Sequence, residues 1–214
     1  HRDCLVRLLI SRGPGSFGVN PYDCPEQQIY LVVTELKKPF MELHPEGARL
    51  KTSSVSVKPA FFAGIKSCNY MPNVLMAKEA VDSEVDFVAA YDENGNLAEG
   101  ATENIGIVTS GGELLFPKAG HILRGTTMIR VAELAGKLIQ KGLLKKVEFR
   151  NISRRQVKSA KEILIVGTTP NVAFVKEYDG KKVGGGKAGP VFTALHKFLL
   201  DDIYHNKKLR TPVF

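Results

Sequence analysis

Lys66 lies in the run Gly64-Ile65-Lys66-Ser67-Cys68-Asn69-Tyr70, just ahead of an apolar helical pattern. Three further motifs follow in the chain: Glu99-Gly100-Ala101-Thr102-Glu103-Asn104, Leu123-Arg124-Gly125-Thr126-Thr127 and Gly167-Thr168-Thr169-Pro170. A lysine amine can form an imine with an aldehyde, and a carboxylate can keep a ring nitrogen protonated. Turns rich in Thr and Gly offer donors to a phosphate. Together these are the parts needed to hold a phosphorylated aldehyde cofactor. Singly, each has a plainer reading: Lys66 as a charge snorkelling from a strand end, Glu99 as an exposed turn glutamate, Thr126 as a helix cap, and Thr168–Thr169 as a turn. The ordered set is what points to chemistry.

Lys66 follows Phe61-Phe62-Ala63-Gly64-Ile65. Burial of that run would desolvate the amine and favour its neutral, nucleophilic form. A freed lysine there could shuttle a proton. Glu99 is expected on a strand directly after a hairpin turn, with Gly100 permitting the close approach of another group. Gly125-Thr126-Thr127 opens a helix, where free N–H groups and the helix dipole favour an anion. Gly184-Gly185-Gly186-Lys187 is not read as a P-loop, since no strand ends just before it and no Ser or Thr follows the lysine. Cys4, Cys24 and Cys68 form no C-x-x-C pair, which argues for a reducing compartment and against a disulfide framework. Cys68 is expected as a small buried filler, and no metal site is expected.

The elements that would position these residues follow from patterning. The 214 residues are 43% hydrophobic and 24% charged, enough for one large or two small domains with a core. No apolar run approaches the roughly 20 residues needed to span a bilayer. The net charge of +8 would suit nucleic acid, but its basic clusters lack interleaved aromatic residues for base stacking, and no nucleic-acid partner is expected. Strands are expected at 5–11 and 28–34, and a domain boundary at about 35–50. Beyond it, strands are expected at 49–57, 85–91, 97–99, 104–109, 113–116, 147–151 and 162–166. Helices are expected at 70–81, 126–141, 153–160 and 190–204, with a hairpin turn at Asn94-Gly95. The fold class is α+β: a partial small domain with its linker over 1–48, then a larger, mostly antiparallel sheet or pseudo-barrel with helices over 49–214. Because the chain opens in mid-strand without a methionine, an upstream part is expected to be missing.

The runs Ile65–Tyr70, Glu99–Asn104, Leu123–Thr127, Gly167–Pro170 and Tyr178–Pro190 together resemble fold-type IV pyridoxal-phosphate enzymes. That group comprises branched-chain aminotransferases, D-amino acid transaminases and aminodeoxychorismate lyases. The resemblance covers essentially the whole chain, in the family's order. It implies the cofactor pyridoxal 5'-phosphate, with Lys66 as its covalent partner and Glu99 at the pyridine nitrogen. It places Tyr70 at the phenolic oxygen, and Thr126, Thr127 and Thr168 at the phosphate. The Thr168–Thr169 amides would receive a substrate carboxylate, while Asn104 is expected to be structural. It also implies a homodimer with the site between domains near the dimer interface, and a cytoplasmic enzyme acting on an amino acid and a 2-oxo acid such as 2-oxoglutarate. The branched-chain type is the first expectation. An aminodeoxychorismate lyase releasing pyruvate and a catalytically silent relative are the alternatives. Three departures stand out. The family's phosphate-gripping arginine, upstream of the first strand here, has no counterpart. Met128 stands where members often carry arginine. The loop Gly13–Val19 lacks the Arg-x-His carboxylate trap of the D-amino acid enzymes, which argues against D-amino acid specificity.

Overall fold

The computed structural model describes residues 3–212. The chain divides into two compact units, His1–Lys38 and Pro39–Phe214. In the first unit, β1 (Cys4–Ser11) pairs antiparallel with β2 (Gln28–Glu35), in register from Cys4↔Glu35 to Ser11↔Gln28. The loop between them is fastened by side chains: Ser16 Oγ donates to Asp23 at 2.7 Å, and Asn20 Oδ1 accepts from the Tyr22 N–H at 3.2 Å.

The second unit is organised by strands buried on both faces. Its elements are α1 (Phe40–Leu43), β3 (Ala48–Thr52), α2 (Ala60–Ala63), α3 (Met71–Asp82), β4 (Phe87–Ala89), β5 (Asn104–Val108), β6 (Glu113–Pro117), α4 (Thr126–Gln140), β7 (Lys146–Arg150), α5 (Arg154–Lys158), β8 (Glu162–Gly167), β9 (Asn171–Tyr178), β10 (Lys181–Lys182) and α6 (Pro190–His205). The strands lie in the order β4-β3-β9-β8-β5-β6-β7, with β10 on β9. On β8 and β9, Leu164, Val166, Val172 and Phe174 enter one core, while Ile163, Ile165, Ala173 and Val175 enter another. The first core takes the apolar sides of α4 and α6, and the second takes Val157 of α5 with Tyr91 and Leu97. Period-two side-chain direction thus sends successive apolar residues to opposite faces of one sheet.

The α+β class holds, and the sheet is more mixed than the short-strand pattern suggested. Three pairings are parallel: β3 with β4, β3 with β9, and β6 with β7. Strand β9 was not expected from the sequence. Its consecutive burial from Val172 to Val175 lacks the one-sided alternation that marks a half-exposed strand. The strand expected over 49–57 stops at Thr52 because Glu79 of α3 takes over the next residues. Its carboxylate accepts from Ser53 Oγ at 2.6 Å and from the Ser54 N–H at 3.0 Å. Residues 97–99 form isolated bridges instead of a strand. On α3 the buried side is Asn73, Met76 and Ala80, whereas the apolar Met71, Val74 and Leu75 are exposed. The N-terminus of α6 is closed by a carboxylate, since buried Glu162 accepts from the N–H groups of Val191 and Phe192 at 3.1 and 2.8 Å. No helix among the described residues is long and apolar enough to cross a membrane.

Candidate active site

Lys66, Tyr70, Glu99, Thr126, Thr127 and Thr168 all line one cleft of about 310 Å³ in the second unit. They arrive from separate stretches of the chain. Lys66 is in the connector between α2 and α3, and Tyr70 is the N-cap of α3. Thr126 and Thr127 open α4, and Thr168 begins the turn from β8 to β9. Thr169 lies in the same turn and does not line the cleft.

Glu99 is buried, at 8% exposure. Its backbone bridges to Asn104, and its Oε2 accepts from the Leu123 N–H at 2.8 Å. The Asn104 Nδ2 donates to the Leu123 carbonyl at 2.9 Å. The 123–125 turn is therefore held on one side by Glu99 and on the other by Asn104. Gly125 completes the clamp, because a Cβ there would lie 2.1 Å from the Asn104 Oδ1. Gly100 serves in the same way, since its Cβ would meet the Glu103 carboxylate at 2.7 Å. Asn104→Ala is expected to cost about 1–2 kcal/mol of stability, read as a lower urea midpoint, because the Leu123 carbonyl loses its side-chain donor.

Burial pushes the Glu99 carboxyl up to about 7. The Leu123 N–H and the charges of Lys58 and Lys66 pull it down, and Glu103 adds to the rise. Among the described residues, Oε2 is the Glu99 oxygen with a hydrogen-bond donor, which leaves Oε1 free to accept. The N-terminus of α4 carries no side-chain cap. Its first N–H groups, beside Thr126 and Thr127, are open to an anion.

Two sequence expectations are corrected here. Phe61, Phe62 and Ile65 are exposed by 78%, 48% and 49%, so the run before Lys66 does not bury it, and Lys66 is itself exposed. The single turn of α2 buries only Ala63, and the Phe61 and Phe62 rings pack edge to face on each other. Cys68 is exposed, not a buried filler. Conversely, Lys58, Asn73, Glu103 and Arg124 also line the cleft. Asn73 had a readable signal as the polar residue on the buried side of α3, and its Oδ1 is buried without a partner. Lys58 had none, standing in a connector without periodicity.

The model of the family described as amino-transferase class IV matches residues 1–178. The chain belongs to this family. Among its relatives, the chloroplastic D-amino-acid transaminase of Arabidopsis thaliana is 35% identical over 203 residues, covering 94% of this chain and 54% of that protein. The probable branched-chain-amino-acid aminotransferase of Aquifex aeolicus is 34% identical over 149 residues, covering 68% and 47%. The chain thus spans about half the length of the curated relatives it matches. A branched-chain amino acid aminotransferase of T.th., solved in complex with N-(5'-phosphopyridoxyl)-L-glutamate, superimposes with a TM-score of 0.83 at 30% identity. That match covers 94% of this chain and 64% of that structure. The class IV fold implied by the resemblance of the five runs is therefore the fold observed.

Proposed function

We propose that this class IV family member is a pyridoxal-phosphate-dependent aminotransferase. It would pass an amino group between an amino acid, of branched-chain type first, and a 2-oxo acid such as 2-oxoglutarate. The observation that carries the reading is the meeting, in one cleft, of Lys66, a carboxylate with a free oxygen and an uncapped helix start. These residues fit the cofactor's three polar ends. The open amides of α4 with Thr126, Thr127 and Thr168 suit a phosphate, Oε1 of Glu99 suits a ring N–H, and the Tyr70 hydroxyl suits the phenolic oxygen. Pyridoxal phosphate, when bound, supplies an electron sink for the substrate's α carbon. Lys66 Nζ would take the α proton and return it, and the β8–β9 turn would receive the substrate carboxylate at Thr168, its cleft-lining end.

The loop Gly13–Val19 contains neither arginine nor histidine, which supports the branched-chain type over the D-amino acid type. The names of the relatives divide between the two. We assign a homodimer on the exposed apolar residues of α2 and α3, Phe61, Phe62, Met71, Val74 and Leu75, which suit a partner surface. The free thiols of Cys4, Cys24 and Cys68 support a reducing, cytoplasmic setting.

The test is spectroscopic and then enzymatic. Added pyridoxal phosphate is expected to give an absorbance band near the visible edge that borohydride removes. L-leucine with 2-oxoglutarate is then expected to yield glutamate. Release of pyruvate from aminodeoxychorismate with no oxo acid present would establish the lyase instead. Faster turnover of D-alanine than of L-leucine would reverse the substrate assignment. A protein that takes up no cofactor would be a silent relative.

A further inference from the structure

Three cationic side chains line the cleft, Lys58, Lys66 and Arg124, beside the carboxylates of Glu99 and Glu103. Neither carboxylate is committed to Lys58. Glu99 accepts from the Leu123 N–H, and Glu103 accepts from the backbone and hydroxyl of Thr102. Lys58 stands between β3 and α2, partly buried, and its side chain forms no ion pair or hydrogen bond with any described residue. Its one defined contact is with the face of Tyr70, whose ring centroid lies 5.5 Å from the ammonium. That contact leaves all three N–H donors of the ammonium unused. Lys58 and Lys66 line the same cleft, so one bound ligand can meet both.

The reading above occupies Lys66 with the cofactor and the start of α4 with a phosphate. Lys58 is left over. A ligand filling the cleft displaces water from around it. An aliphatic side chain laid there would leave a desolvated, unpaired ammonium, which is strongly unfavourable. A carboxylate would turn the same contact into a charge-assisted hydrogen bond. Resting on the aminotransferase reading, we propose that Lys58 is a specificity-determining residue that binds the distal carboxylate of a dicarboxylic amino acid or oxo acid. For a monocarboxylic substrate Lys58 keeps its place over the Tyr70 ring, which lets one cleft serve both partners of the exchange.

The anion could also be the cofactor's own phosphate, and the experiment separates the two. The holoenzyme and its Lys58→Met and Lys58→Arg variants are titrated with glutarate and with 4-methylpentanoate, unreactive stand-ins for the two substrate classes, following the cofactor's absorbance. Cofactor retention is measured in parallel by dialysis. Lys58→Met is expected to weaken glutarate about tenfold or more and to change 4-methylpentanoate by less than about twofold. Methionine keeps the apolar contact with Tyr70, and Lys58→Arg is expected to recover part of the glutarate affinity. Equal weakening of both ligands, no change in either, or a loss confined to cofactor retention overturns the inference while leaving the aminotransferase reading intact. Absence of the cofactor band in the unsubstituted protein overturns that reading, and this inference with it.

Discussion

Lys66→Ala is expected to lower amino transfer by at least about 10³-fold while leaving the fold intact. Removing a positioned acid–base group typically costs about 10²–10⁴-fold, and here the same amine also carries the cofactor. Lys66 is exposed and makes no ion pair or hydrogen bond with any described side chain, so its loss breaks no direct contact. The urea midpoint should correspond to a change within about 0.5 kcal/mol. Lys66→Arg should not restore turnover, because a guanidinium does not give up its proton near neutral pH. A second lysine in the cleft makes the control necessary. Borohydride fixation followed by peptide mapping should place the cofactor on Lys66 and not on Lys58. More than a tenth of the turnover surviving in Lys66→Ala, or a label on Lys58, would sink the assignment.

What could be read from the sequence follows the physics of each element. Helix α4 was legible because one side faces a core and the other faces water, so Val131, Leu134, Ala135 and Leu138 recur at helical spacing. Helix α6 was legible from Pro190 at its first turn. Strand β9 was not, although β5 and β8, buried on both faces in the same way, were legible as apolar runs. Helix α3 was legible as a helix but not in its facing. Its polar Asn73 lines the cleft and Ala80 is buried, while Met71 and Val74 remain outside, so apolarity alone picked out the buried side only in part. In the site, Lys66, Glu99 and the helix-opening threonines were legible because their chemistry is local to a motif. The clamp on Leu123 was not, since the Glu99 and Asn104 side chains meet the backbone of Leu123, which has no side-chain signature. Lys58 was illegible for a related reason: only the folded connector carries it to the face of Tyr70.

Glu99 should show opposite effects on stability and on chemistry. Its folded-state value of about 7 stands above its ordinary 4.5, so between those pH values the folded protein holds a proton that the unfolded chain has lost. The sign follows from proton uptake. The protein stripped of cofactor is favoured by this group below pH 4.5, loses that advantage as pH rises, and carries the full cost above about 7. The interval corresponds to about 3 kcal/mol. Glu99→Gln removes the titration and keeps an amide oxygen to accept from the Leu123 N–H. The variant should therefore be more stable than the parent at pH 8, by up to about 3 kcal/mol, and nearly equal to it at pH 4.5. Paired urea melts at the two pH values measure this directly. A glutamine variant that is less stable at pH 8, or that retains the parent's slope, would refute the burial argument. Catalysis should move the other way. A neutral amide cannot hold the ring nitrogen protonated, so amino transfer should fall by about 10²-fold or more. A carboxylate buried at an energetic cost that glutamine would avoid, in contact with the turn that opens α4, is what a charge retained for chemistry looks like.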